Sequence, residues 1–236
     1  MSIVLGVDTS SRELGLGLVR DGVVVTGWSH YGGQSHSEHI SLALRSLCEA
    51  NNLTPDTITH IAVAVGPGSF TGLRIGISFC KGFCFGRVVP VLPVSSLMAV
   101  AVALPCSDRP VVVAFEARRG DVFWARFMVE PGRIVRVTDD CLMPAVDFAG
   151  QLAADDCIVT DTMGFARSSV FDFLAGRPAV FAVENVPLQR GVACAKIAAM
   201  AIKNSASVDL SFTSVTDIAP RYLRDFDIVA CRPPPM

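Results

Sequence analysis

Residues 66–76 read Gly-Pro-Gly-Ser-Phe-Thr-Gly-Leu-Arg-Ile-Gly, set between the apolar run Ile61–Val65 and a stretch of helical character from Leu73 to Phe85. A strand that must turn directly into a helix needs backbone freedom, which the glycines supply, while Pro67 fixes one backbone angle. The chain can therefore reverse sharply and aim its amides along the helix start, either to hold a phosphate or to pack tightly. The run is not a Walker A loop, because no Lys-Ser or Lys-Thr pair follows Gly72. Nor does Ser69 sit in a G-x-S-x-G nucleophile elbow, since its neighbours are Pro67, Gly68, Phe70 and Thr71.

A chain of 236 residues, 51% of them hydrophobic, has enough apolar surface for one large core or two modest ones. Its 20 Lys and Arg are nearly balanced by 22 Asp and Glu and form no basic stripe, so a role on tRNA or DNA needs a partner. The apolar stretches fall short of the ~20 residues of a membrane span, and Asp8 follows the start too closely for a secretory leader. Eight cysteines without a C-x-x-C pair then suggest reduced thiols in a cytoplasmic protein. Cys80 and Cys84 share one helical face among Phe79, Phe83 and Phe85, where small buried hydrophobes are expected rather than a metal site.

The pattern predicts a strand over Ile3–Val7, a hairpin of Leu14–Val19 with Val23–Trp28, and a helix from Ser37 to Asn51 with Ser35 or Ser37 as its cap. Strand Ile61–Val65, the glycine turn, helix Leu73–Phe85, a strand at Val88–Val91 and a helix over Ser95–Ala103 follow. The order then restarts: strand Val111–Phe115 ends in Glu116, and Asp121–Met128 pairs with Arg133–Val137 around Pro131-Gly132. Helices near Ala145–Ala153, Ser168–Leu174 and Gly191–Lys203 alternate with strands Cys157–Thr160 and Ala179–Ala182. A recurring order with an acidic strand end is the mark of a duplicated unit, giving two mixed α/β lobes over residues 1–108 and 109–236.

The two helices of the first lobe differ. Ile40, Ala43, Leu44, Leu47 and Cys48 line one side of the first, with Glu38, Leu42, Arg45 and Glu49 opposite. On the second, Ile75, Ile77, Phe79, Phe83 and Phe85 point almost all round, with Arg74, Ser78 and Lys81 in one narrow arc. Such a helix must be covered on more than one side, by its own sheet and then by either a partner's helix or the chain's own C-terminal segment.

Several segments carry a resemblance. Asp8-Thr9-Ser10, His36-Ser37-Glu38, the glycine run with Lys81-Gly82, Val94-Ser95-Ser96-Leu97, residues 116–123 and Pro220-Arg221-Tyr222-Leu223-Arg224 together resemble the TsaB family, also called YeaZ. The resemblance implies a two-lobed fold of the actin, Hsp70 and sugar-kinase ATPase type, built from two ribonuclease-H-like mixed sheets with helices. It implies a non-catalytic subunit in the synthesis of threonylcarbamoyladenosine in tRNA, without a catalytic or metal-binding residue of its own. Its partners would be the related transferase TsaD and the ATPase TsaE, with tRNA met only through the complex, a homodimer when isolated, and ATP or ADP with magnesium at the complex interface. The contact with TsaD would use the two first-lobe helices, with His36, Glu38, His39, Leu42, Arg45, Arg74, Ile77, Lys81 and Phe85 as candidates. The hinge would be Gly66, Pro67, Gly68, Ser69, Phe70, Thr71 and Gly72, beside a vestigial nucleotide contact at Asp8, Thr9 and Ser10. Aligned on the shared glycine run, the two metal-binding histidines of TsaD fall on Ser96 and Val100, neither a usual ligand. The chain departs from the family's common motif at Glu116 and Phe123, and has Cys80 in place of a common Ala.

Two other functions compete. A free-standing ATPase or sugar-type kinase would use Asp8, Thr9 and Ser10 on phosphate and metal, but the matching strand end at Glu116 carries Arg118 and Arg119 in place of small hydroxyls. A peptidase lacks a Ser-His-Asp order, a Cys-His pairing and a metal triad; His36 and His39, the close pair, read as a polar helix start.

Overall fold

The computed structural model describes residues 1–31, 35–104, 108–117, 120–160, 180–182, 189–203, 208 and 210–223. Its first sheet is built from β1 (Ile3–Asp8), β2 (Glu13–Arg20), β3 (Val23–Tyr31), β4 (His60–Gly66) and β5 (Val91–Ser95), in the order β3-β2-β1-β4-β5. β2 runs antiparallel to β1 and β3, while β4 is parallel to β1 and β5. The second sheet holds β6 (Val111–Glu116), β7 (Asp121–Glu130), β8 (Arg133–Arg136), β10 (Cys157–Thr160) and β11 (Val180–Ala182), in the order β11-β10-β6-β7-β8, with β9 (Cys141–Pro144) also pairing with β7. A central strand with an antiparallel hairpin on one side and parallel strands on the other recurs in both, so the fold is mixed α/β on two ribonuclease-H-like sheets.

Five helices are described: α1 (His36–Ala50), α2 (Phe70–Phe83), α3 (Ser96–Ala103), α4 (Ala145–Gly150) and α5 (Arg190–Lys203). Alternation along each strand assigns the layers. Ile3, Leu5 and Val7 of β1 with Leu14, Leu16 and Leu18 of β2 face α1 and α2, whose Ile40, Leu44, Leu47, Ile77 and Cys80 complete that core. The opposite face packs on α3 and α5, which are sandwiched between the two sheets and meet Val111, Val113, Phe127 and Val159 of the second. Trp124 and Phe148 anchor a third cluster under α4.

The helix expected at Gly191–Lys203 within the second half of the chain is α5, and it lies against β1 and β2 of the first sheet. Gly6, Gly15 and Gly17 make this possible. A methyl group on Gly6 would stand 1.9 Å from the Gly191 carbonyl oxygen, and one on Gly17 would stand 2.4 Å from the Val192 Cα. The sheet thus offers a bare trough that brings the helix backbone flush against it.

Several boundaries differ from expectation, among them the end of α2 at Phe83, which leaves Phe85 beyond the helix. The strand expected at Val88–Val91 begins at Val91, because Pro90 precedes it and β5 is an edge strand that tolerates Pro93. α2 begins at Phe70 rather than Leu73, since Ser69 caps it by accepting a hydrogen bond from the Gly72 amide at 3.2 Å. α4 stops at Gly150, and the four residues of β9 before it carry too short a pattern to be read. The helix expected at Ser168–Leu174 lies outside the described residues. Cys141 is disulfide-bonded, with its partner not among the described residues, so the expectation of eight free thiols fails there. Cys48, Cys80, Cys84, Cys157 and Cys194 are free.

Candidate functional site

The glycine turn folds onto the end of β1. Ser69 donates its amide to the Ser10 carbonyl at 2.7 Å, and the Thr9 hydroxyl donates to the Gly72 carbonyl at 2.7 Å. Methyl groups would meet the Thr9 carbonyl oxygen at 2.0 Å from Gly72, Thr9 Oγ1 at 2.3 Å from Gly76, and the Ser10 carbonyl oxygen at 2.3 Å from Gly68. Gly66, at φ 125°, holds a turn conformation that a side chain resists. The glycines therefore seat α2 against residues 9 and 10, the tight-packing alternative left open by the sequence.

Asp8, Thr9 and Ser10 are buried by this contact. The Asp8 Oδ1 accepts from the Ser10 amide at 2.7 Å and the Ser10 hydroxyl at 2.6 Å. Burial pushes the Asp8 carboxyl above the usual carboxylate range, opposed by the charge of Arg190 and by the Ser10 hydrogen bonds. Arg190 is itself buried, its guanidinium 5.0 Å from the centre of the Phe115 ring. Both hydroxyls and the Asp8 Oδ1 are turned inward onto these bonds, while the Asp8 Oδ2 is buried with no hydrogen-bond partner among the described residues. The matching strand end differs, because Glu116 is exposed. Ser96 and Val100 are fully buried in α3.

The opposite surface of α1 and α2 is open. Between the helices runs a groove with one cavity of about 570 Å³, lined by Ile40, Phe70, Arg74, Ile75 and Phe79 among others, and an adjoining one of about 420 Å³ that continues to Leu44, Arg45 and Phe83. Phe70 is 52% exposed, Leu42 63% and Phe85 89%, which places large apolar groups in water at both ends of this face. Arg45, Arg74 and Lys81 are exposed along its border.

Of the contact candidates, Glu38, Leu42, Arg45, Arg74, Lys81 and Phe85 lie on the accessible side. His36 and Ile77 do not. His36 is buried with its Nε2 2.9 Å from the Ser11 carbonyl oxygen, and Ile77 points into the sheet because the side of α2 bearing Gly72 and Gly76 is the one that can approach β1. His39 is half-buried, stacked on His30 at 4.5 Å, so the two close histidines do not converge on one point. Sequence reasoning missed Phe70, Ile75 and Phe79 as groove residues; the cap at Ser69 is the signal that would have brought Phe70 into the helix.

A C-terminal strap closes one end of this face. Thr213 bridges to Val91 on the edge of β5, and Ile218 is buried against the first core. The Arg221 amide donates to the Val65 carbonyl at 2.7 Å, and its side chain lies 3.6 Å from Asp140. Asp140 is a buried junction: it accepts from the Ser95 hydroxyl at 3.0 Å and from Arg136 at 2.5 Å. Tyr222 then stacks on Phe70 with ring centres 5.0 Å apart.

Comparison with known proteins decides the family. The model of the family described as TsaD, tRNA N6-adenosine threonylcarbamoyltransferase, matches residues 28–220. The tRNA threonylcarbamoyladenosine biosynthesis protein TsaB of Bacillus subtilis is 31% identical over 153 residues, 65% of this chain and 67% of that protein. The chain belongs to the TsaB branch of this family. TsaB of Escherichia coli is 30% identical over 126 residues, 52% of this chain and 54% of its own length, so these matches span about half to two thirds of the TsaB relatives. The fold of TsaB extends further than the identity: YeaZ from Pseudomonas aeruginosa superimposes with a TM-score of 0.77 at 23% identity, over 94% of this chain and 100% of that one.

Proposed function

We propose that this chain is a non-catalytic assembly subunit in the synthesis of threonylcarbamoyladenosine in tRNA, which binds and activates a TsaD-type threonylcarbamoyltransferase together with a TsaE-type ATPase. The observation that carries the proposal is the open apolar groove between α1 and α2, where Phe70 stands exposed and Phe79, packed on the core by one side, lines the groove with the other. A partner's helix pair laid in that groove would remove the apolar surface from water and complete a bundle, at ~25 cal/mol per Å² buried. Alone, the same face favours a homodimer.

The division of labour follows from the strand ends. The residues aligned with the transferase's metal-binding histidines are core positions of α3, and the Thr9 and Ser10 hydroxyls and the Asp8 Oδ1 are engaged in internal hydrogen bonds. On this reading chemistry, tRNA and any ATP or ADP with magnesium belong to the partner or to its interface with this chain, inside the cytoplasm. Deleting the gene should empty bulk tRNA of threonylcarbamoyladenosine, measured by mass spectrometry of digested tRNA, and Phe79→Asp should fail to restore it. Normal nucleoside levels in the deletion strain would refute the proposal.

A further inference from the structure

The strap gives one residue of the groove a feature that the helix alone would not. Arg74 donates its Nε–H to the Tyr222 hydroxyl at 3.0 Å, lies with its guanidinium 3.9 Å from the centre of the Phe70 ring, and Phe70 in turn stacks on Tyr222. Three side chains close a triangle, one of them 148 residues away in sequence. The triangle is fixed at its base, because the neighbouring Arg221 is held by backbone to Val65 and by charge to Asp140.

A guanidinium held by its Nε and by an aromatic face has lost the freedom of an exposed arginine while keeping its two terminal amines. Arg74 is exposed and pairs with no carboxylate among the described residues, although Arg87, Arg126, Arg133, Arg136 and Arg221 each do. The cost of ordering a long side chain is thus met before any partner arrives. The two terminal amines form a fork suited to the two oxygens of a carboxylate. The border of the groove is cationic along α2, with Arg74 and Lys81 exposed there.

We infer that Arg74 is a preformed anchor for an Asp or Glu side chain of the docking partner, and that Tyr222 is the positioning residue that holds it ready. The inference rests on the proposed docking of a TsaD-type chain and adds the chemistry that the partner must present at the Phe70 end of the groove. It also gives the C-terminal strap a role in recognition: the strap shapes the docking face without needing to enter the groove.

The test is titration of the purified TsaD-type chain of the same organism into the full-length protein, at about 50 and about 300 mM salt, where screening of an exposed pair differs. Arg74→Met should weaken binding at low salt by about 10-fold, as loss of a preordered, charge-assisted pair does, and should flatten the salt dependence. Tyr222→Phe, which keeps the stack and deletes the hydrogen bond, should weaken binding by a smaller factor and leave thermal stability unchanged. Arg74→Lys should not restore the affinity, because an ammonium cannot reproduce the fork. Wild-type affinity and wild-type salt dependence in Arg74→Met would overturn the anchor while leaving the docking proposal standing. An unchanged affinity in both Tyr222→Phe and Tyr222→Ala would overturn the positioning role. Absence of binding by the wild-type chain would overturn both the docking proposal and this inference.

Discussion

Gly72→Ala tests whether the hinge works by close approach. Gly72 lies inside α2 with ordinary helical backbone, so local propensity favours the alanine by ~1 kcal/mol. Packing opposes it. The new methyl would stand 2.0 Å from the Thr9 carbonyl oxygen, 1.4 Å short of the 3.4 Å at which ordinary contact begins, and the obstacle is backbone that cannot swing aside. Either α2 lifts from β1, losing the Thr9 hydrogen bond at a cost of ~1 kcal/mol, or the β1 end deforms. Overpacking of this kind costs ~1–3 kcal/mol and occasionally more, so with the lost hydrogen bond and the propensity gain offsetting each other the net loss should be about 1–3 kcal/mol. For a chain of this length that is a fall in Tm of about 2–12 °C. Gly82→Ala is the internal control, since nothing lies within 4 Å of its methyl position and the same propensity gain should appear unopposed, as a rise of about 2–4 °C. Urea unfolding and calorimetry read both. A Gly72→Ala protein as stable as wild type would refute the claim that steric contact with Thr9 selects glycine here.

Asp156→Ala should destabilise the second sheet's flank by about 3 kcal/mol, because Asp156 is fully buried and takes two hydrogen bonds from Arg126, at 2.9 and 2.6 Å; calorimetry should show a fall of about 6–12 °C. His60, packed edge-on against Phe212 of the strap, has its pKa lowered by burial. The unfolded chain therefore takes the proton first, so the contribution of His60 is complete above the unfolded value of ~6.5 and is lost as pH falls through it toward the folded value. The urea midpoint should drop between about pH 7.5 and about pH 5.5, and His60→Gln should lessen that drop. Burial pushes the Cys80 thiol far above its ordinary range, so a thiol reagent at neutral pH should leave Cys80 unmodified in the native protein and label it on unfolding, as peptide mapping would show.

The amino-acid sequence by itself determined the local elements and their punctuation. The apolar strands β1 and β2, the restart at Val111 and the glycine turn are encoded within a few residues of where they act, and so is the likeness to TsaB. The same locality limits what periodicity can say about α2. It is apolar almost all round, and only its fit against Thr9 decides that Ile77 and Cys80 face inward while Phe70, Ile75 and Phe79 border the groove. His36 turned inward for a comparable reason: its partner is the Ser11 carbonyl, 25 residues earlier. Gly15 and Gly17 of β2 leave a bare trough, and nothing local to them says that α5 fills it. Tertiary structure alone brought α5 onto the first sheet and Tyr222 onto Arg74. Such contacts join segments whose local sequences are each satisfied without the other, so the choice between them is made by packing and charge in three dimensions.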